Sequence, residues 1–261
     1  MTQAPASTTP SALIGSLTLT VNDAARVADF YERVIGLTRF TPTSLGIGDT
    51  AVLHLHQDKA ARRRPNEAGL FHTAFLLPDR AALGLWLNHA AEAGLNLDGA
   101  ADHLVSEAVY LHDPEGNGVE VYADRPRAVW PRRDEQILLD SKPLDLEALA
   151  AEGAGTWRGA PLGTTIGHVH LQVGETEAAD AFYTGILPFQ RMFAMGNRAS
   201  FYGADGYHHQ LAGNTWNSGG AGTRSADATG LAELELRIDP ALCAPDTFTD
   251  PWGTTIRVTA A

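Results

Sequence analysis

The 261-residue chain is 44% hydrophobic and 19% charged, the composition of a globular protein long enough for one large domain or two modest ones. Its 31 acidic against 19 basic side chains leave a formal charge of −12, which argues against nucleic acid or an anionic membrane as the main partner. The one cysteine, Cys243, excludes a disulfide within the chain and fits a reducing cytoplasm, and no apolar run approaches the roughly 20 residues a membrane span needs. Cys243 itself reads as a small buried hydrophobe.

Residues 1–12, MTQAPASTTPSA, have neither a basic start nor an apolar core and are expected to form a floppy tail rather than a signal peptide. Residues 13–37, LIGSLTLTVNDAARVADFYERVIGL, then match residues 165–189, TIGHVHLQVGETEAADAFYTGILPF, without a gap. Ile14-Gly15 falls on Ile166-Gly167, Val21 on Val173 and Phe30-Tyr31 on Phe182-Tyr183. Each copy opens with period-two alternation, a strand with one buried face, and continues through a polar turn into an amphipathic helix.

Between the copies lies a second kind of repeat. Gly69 to Pro78 reads as a strand, and Asp79 to Ala93 as a helix capped by Asp79, striped by Leu83, Trp86, Leu87 and Ala90, and stopped by Gly94. Val109-Tyr110-Leu111, the turn Asp113-Pro114-Glu115-Gly116-Asn117-Gly118 and the strand Val119 to Tyr122 complete it. Gly230 to Ile238 and Asp250-Pro251-Trp252-Gly253 echo its first strand and its turn. The stretch from Glu233 to Asp250 is far shorter than that from His72 to Asp113, so this fourth unit is expected to lack the helix and a strand. Four units result: 12–57, 69–124, 164–213 and 229–259. A lone unit cannot bury both sides of its sheet, so the units must pair. Residues 13–124 are expected to be a first pair of units, 125–163 a proline-containing surface linker with a short helix, and 164–261 a second pair whose last unit is degenerate. Residues 217–229, NSGGAGTRSADAT, read as a mobile flap or an excursion of the chain.

Four such βαβββ units with DPxG turns resemble the vicinal oxygen chelate superfamily, which holds glyoxalases, antibiotic-resistance proteins and extradiol dioxygenases. The motifs Ile166-Gly167-His168-Val169-His170-Leu171, Val105 through Glu120, Asp124-Arg125-Pro126-Arg127, Gly206-Tyr207-His208-His209 and Asn214-Thr215-Trp216 resemble its catechol 2,3-dioxygenase branch. The resemblance implies an α+β fold of paired units curled into two cup-shaped half-barrels, with a divalent metal on the floor of a cup. Its ligands would be a histidine on the first strand of each of two units and a glutamate on a last strand. Two imidazoles and one carboxylate on a single face leave neighbouring positions open for substrate and oxygen.

The first-strand positions are Ser16, His72, His168 and Glu233, and the last-strand positions are Glu120 and Arg257. Pairing units in sequence order breaks both sets, and a cation at Arg257 would oppose a metal. Pairing the second unit with the third completes His72, Glu120 and His168, and leaves Ser16, Glu233 and Arg257 in an empty cup. His168 and His170 share a strand face, so either suits the residue type; the family position favours His168, leaving His170 as packing or support.

The resemblance further implies an acid–base histidine near the end of the third unit. His209-Gln210-Leu211-Ala212 fits that frame, with Gln where the family has Asp, and His208 stays a candidate. Neighbouring strand residues face opposite ways, so one of the two should enter the cup. Tyr110 stands at the family's tyrosine position upstream of Glu120, where its phenol would hold a substrate oxygen, and His103 lies near a further family histidine. His54, His56, His89 and His112 read as structural or solvated. The expected activity is Fe(II)-dependent extradiol cleavage of a catechol-type aromatic by O2, with Mn, Ni or Zn as other metals the site would accept. The alternatives are a glyoxalase-like metal-dependent lyase or isomerase, which commonly adds a fourth acidic ligand at the end of the third unit, and a metal-free drug-binding protein. The partners expected are a small aromatic substrate and O2, with no nucleic acid and no membrane; since one chain contains both cups, an oligomer is possible without being required for the site.

Overall fold

A computed structural model of the chain describes residues 10–134 and 136–261, so most of the expected tail lies outside the described residues, and Ala12 is already buried in the first strand. The first unit comprises β1 (Ala12–Val21), α1 (Ala24–Phe30) running into a π-helical turn at Tyr31–Ile35, β2 (Thr38–Thr41), β3 (Ser44–Ile47) and β4 (Thr50–Gln57). The second comprises β5 (Gly69–Leu77), α2 (Arg80–Glu92), β6 (Gly99–Asp102), β7 (Ser106–His112) and β8 (Gly118–Asp124). After the two-stranded hairpin β9 (Arg132–Arg133) and β10 (Gln136–Ile137) and the short helix α3 (Leu146–Glu152), the third unit holds β11 (Thr165–Gln172), α4 (Thr176–Ile186), β12 (Gln190–Ala194), β13 (Ala199–Gly203) and β14 (Leu211–Asn214). The fourth keeps only β15 (Gly230–Ile238), β16 (Asp246–Thr249) and β17 (Thr255–Ala260), with no helix.

The local signals act as their chemistry dictates. Asp79 accepts from the amide of Ala82 at 2.8 Å, and Gly94 adopts φ 62° just past α2, where a side chain would be strained. The two DPxG turns are built alike: Asp113 Oδ1 accepts from the amides of Glu115 and Asn117, and Asp250 Oδ1 from those of Trp252 and Thr254.

The units pair second with third and first with fourth. One eight-stranded sheet runs β12-β13-β14-β11-β5-β8-β7-β6, and one seven-stranded sheet runs β16-β17-β15-β1-β4-β3-β2. Each is joined at its middle by antiparallel first strands, β11 against β5 and β1 against β15. The main core lies between the sheets and helices, with Leu17, Leu19, Tyr31, Phe75, Trp86, Tyr183 and Leu234 fully buried. No helix among the described residues is long and apolar enough to cross a membrane.

Two loops depart from expectation. The segment 125–163 does more than wrap the surface: Trp130 and Ile137 are buried with Val105 and Tyr207, and Leu149 is buried under α2. The 217–229 loop is tied down rather than free. Ser225 donates from its amide and hydroxyl to Glu67, and the Arg224 guanidinium donates to the carbonyls of Ala228, Thr229 and Leu231. Cys243 is half-buried, packed at the core's edge where the fourth unit's helix is missing.

Candidate metal centre

The Ile-Gly pair that marks both long repeats is a β-bulge. In β11 the pairing with β5 slips between Ile166 and His168, and in β1 the pairing with β15 slips between Ile14 and Ser16. Glycine suits the bulge because a Cβ on Gly167 would lie 1.9 Å from the Tyr122 hydroxyl; a Cβ on Gly15 would meet the flexible Glu235 side chain, 2.7 Å from its carboxyl carbon. After the bulge His168 pairs with Ala74, and on the other side of β5 Ala74 pairs with Glu120. His72 precedes Ala74 by two residues and so shares its face. Three adjacent strands therefore aim His168, His72 and Glu120 into one space, which the small side chain of Ala74 leaves open.

The convergence is tight. His72 Nε2 lies 3.0 Å from Glu120 Oε2 and 3.3 Å from His168 Nε2, and His168 Nε2 lies 3.2 Å from Glu120 Oε2. All three residues are buried, and they are the only group of three ligating side chains this close among the described residues. Three donors each about 2.1 Å from one ion, at mutual angles of about 90–100°, are about 3.0–3.2 Å apart, so the triangle fits a first-row divalent metal on one face. Burial pushes the Glu120 carboxyl upward, but His168 and His72 outweigh that and hold it well below the usual carboxylate range. Burial lowers His72 against the pull of Glu120, which keeps its nitrogen available as a donor.

The triad sits in the wall of a cavity of about 580 Å³ whose apolar lining includes Phe71, Phe193, Phe201 and Trp216, and which Leu139, Asp140 and Ser141 of the 125–163 strap help to close. Tyr110 stands directly across from Glu120 in the β7–β8 ladder, and its hydroxyl lies 2.6 Å from His103 Nε2. Burial, with the Glu120 charge added, pushes the Tyr110 phenol well above its ordinary value, so it stays protonated. His103 Nδ1 is 2.8 Å from the Asp140 carbonyl, which links the strap to this pair. The His209 ring packs 4.2 Å from that of His168 and lines the cavity. His208 lies behind it, hydrogen-bonded to His209 and Asp124. Both histidines belong to the loop before β14, so strand alternation does not separate them; their hydrogen bonds do.

His170 is also drawn in. It pairs with His72 across β11 and β5, lines the cavity, and has a buried Nε2 without a partner. The period-two pattern already put it on the face of His168, but nothing in the sequence marked it as a cavity wall. Elsewhere, His112 pairs with Asp98 at the surface and His89 stacks on Trp157. The other cup is filled by its own side chains. Arg257 Nε donates to Glu233 at 2.8 Å, and Ser16 Oγ donates to Glu235 at 2.6 Å. Glu235 pairs with Ser16 as Ala74 pairs with His168, so a carboxylate occupies the space that Ala74 leaves free.

Burial holds His170 and His209 well below the ordinary imidazole value, with neighbouring histidines adding to it, and lowers His72. The unfolded chain regains imidazoles with pKa about 6.5 and so binds protons that the fold refuses below that pH. The metal-free protein should keep its stability above about pH 6.5 and lose it as the pH falls towards about 5. Urea midpoints at pH 7.5 and 5.5 check this; a higher midpoint at the lower pH would contradict it.

A mixed α+β chain whose paired units cup a His/His/Glu triad defines a recognisable class. Residues 13–121 match the family model described as the glyoxalase/bleomycin resistance protein/dioxygenase superfamily. A catechol-2,3-dioxygenase of Bacillus subtilis (strain 168) is 39% identical over 232 residues, covering 84% of this chain and 80% of the relative. The chain belongs to this superfamily. Among solved structures, glyoxalase I from Zea mays shares the fold with a TM-score of 0.57 at 14% identity, over 96% of this chain and 92% of that one. The cppA protein from Streptococcus pneumoniae TIGR4 shares it at 0.58 and 13% identity, over 95% of this chain and all (100%) of the other.

Proposed function

We propose that the protein is an Fe(II)-dependent extradiol dioxygenase that opens the ring of a catechol-type aromatic with O2. The observation that carries this is the His72/Glu120/His168 triangle sharing one apolar cavity with a buried histidine, His209, and a hydrogen-bonded tyrosine, Tyr110. The 39%-identical relative named catechol-2,3-dioxygenase supports the same reading. His72, His168 and Glu120 would hold the iron, which supplies the redox chemistry that lets a closed-shell catechol react with triplet oxygen.

The chain's own groups handle position and protons. His209, kept neutral by burial, takes the proton of a substrate hydroxyl and later returns one to oxygen. The Asp140 carbonyl fixes His103 Nδ1 as a donor, so His103 Nε2 accepts from the Tyr110 hydroxyl. The Tyr110 oxygen then keeps its lone pairs for a substrate hydroxyl and holds the ring in place. The apolar walls exclude water from the reacting atoms.

The lyase reading asks for a fourth, acidic ligand at the end of the third unit. The residue of β14 that corresponds to Glu120 of β8 is Ala212: it pairs with the residue two after His168, as Glu120 pairs with the residue two after His72. An alanine there disfavours that reading. Among the described residues no Lys or Arg lines the cavity, so the substrate is expected to carry a neutral, apolar substituent rather than a carboxylate. The test loads metal-free protein anaerobically with Fe(II), Ni(II) or Zn(II) and offers a panel of catechols, with a hemithioacetal as the lyase control. Oxygen uptake with Fe(II), and a lower KM for alkyl- or aryl-catechols than for carboxylate-bearing ones, is expected. Oxygen-independent turnover with Ni(II) or Zn(II) would overturn the proposal.

A further inference from the structure

We infer that Asp124 and His208 form a positioning relay that fixes the tautomer of His209, turning its bare Nε2 towards the cavity. The geometry is continuous. Asp124 Oδ1 lies 2.9 Å from His208 Nε2, and His208 Nδ1 lies 2.8 Å from His209 Nδ1. A carboxylate has only acceptors, so His208 Nε2 donates to Asp124. With that hydrogen on Nε2, His208 Nδ1 serves as the acceptor, and His209 Nδ1 donates to it. His209 is left with an unprotonated Nε2, the form a general base needs at the start of turnover.

The surroundings hold this arrangement. His208 is 1% exposed and wedged between Tyr207, at 4.1 Å between ring centres, and Trp130 of the strap, at 5.2 Å. Trp130 is itself fixed by donating to the Arg125 carbonyl at 2.8 Å. Gln210 clamps the loop carrying both histidines. Its Oε1 accepts from the amide of Ala204 at 2.9 Å and its Nε2 donates to the carbonyl of Ala12 at 3.3 Å, so the loop is anchored to the first strand of the other sheet. His208 does not line the cavity, and Asp124 sits at the end of β8, the strand that carries Glu120. The relay therefore acts on His209 from behind, through hydrogen bonds alone.

The inference rests on His209 being the proton-handling group, and its test reads the tautomer without turnover, so the two can fail separately. Long-range ¹H–¹⁵N correlation spectra of the uniformly ¹⁵N-labelled, metal-free protein distinguish the two imidazole nitrogens of each histidine. His209 is expected as the Nδ1–H form in the parent protein. In His208→Leu it should lose that preference, and Fe(II)-supported turnover should fall about 10–100-fold with iron content unchanged, the range that loss of an orienting hydrogen bond costs around a metal site. His208→Asn sets an amide oxygen near the place of the lost Nδ1 and should restore both the tautomer and most of the turnover. An Nε2–H form of His209 in the parent protein, or an unchanged His209 spectrum in a folded His208→Leu, would overturn the inference. A correct tautomer in a protein that never consumes oxygen would uphold the relay and sink the dioxygenase reading instead.

Discussion

Glu120→Gln should strip the protein of iron while leaving it folded. The substitution keeps volume and hydrogen-bonding atoms but removes the triad's one negative charge, which sits within 3.2 Å of both imidazole nitrogens. Two imidazoles on a buried face hold a divalent ion poorly without that charge, since nothing else there offsets its desolvation. The loss should exceed the roughly 10–100-fold in affinity that removal of an outer hydrogen bond costs. His72→Ala should act in the same direction by removing a ligand. Metal analysis after anaerobic loading, with circular dichroism to confirm folding, gives the readout. Full iron content in either folded variant would remove that residue from the ligand set.

His209→Phe should do the opposite: iron stays and turnover falls by roughly 10²–10⁴, the usual worth of a positioned acid–base group. Phe preserves the ring that packs on His168 and Phe201, so the wall of the cavity survives. Anaerobic catechol binding, followed by its spectral change, should persist. The His208 variants should cost less, because His208 reaches the cavity only through its neighbour. Equal and small effects at both positions would favour the lyase or binding-protein reading, in which neither ring moves protons on an oxygen adduct.

The pairing of the units was readable because the ligand positions implied by the family resemblance leave one complete set. Arg257 cannot face a metal, Ser16 is a poor ligand, and the pairing of second with third unit alone gathers two histidines and a glutamate. The structure forms the β11–β5 and β1–β15 seams that this requires. The bulges at Gly15 and Gly167 were hidden, since a repeated Ile-Gly says nothing of what a side chain would strike until Tyr122 and Glu235 are in place. His208 and His209 are separated by their hydrogen bonds and not by strand alternation. Alternation assumes a strand, but positive φ at Asp205 and Gly206 and the clamp of Gln210 hold this segment off the ladder. In the 125–163 strap, prolines and charges obscure the few apolar residues that pack. Trp130 and Ile137 pack with Val105 and Tyr207 beside the cavity that Leu139 helps to close, and both the cluster and the cavity are assembled from other units. The fourth unit's missing helix was legible from chain length alone, because too few residues separate its first strand from its turn.

The most direct measurement is an anomalous difference map at the iron edge, from crystals of protein loaded with Fe(II) under anaerobic conditions. The account predicts one strong peak about 2.1 Å from His72 Nε2, His168 Nε2 and Glu120 Oε2, on the side facing the cavity. A map with no peak there, or with iron held by another set of residues such as Glu233 and Glu235 in the opposite cup, would contradict it.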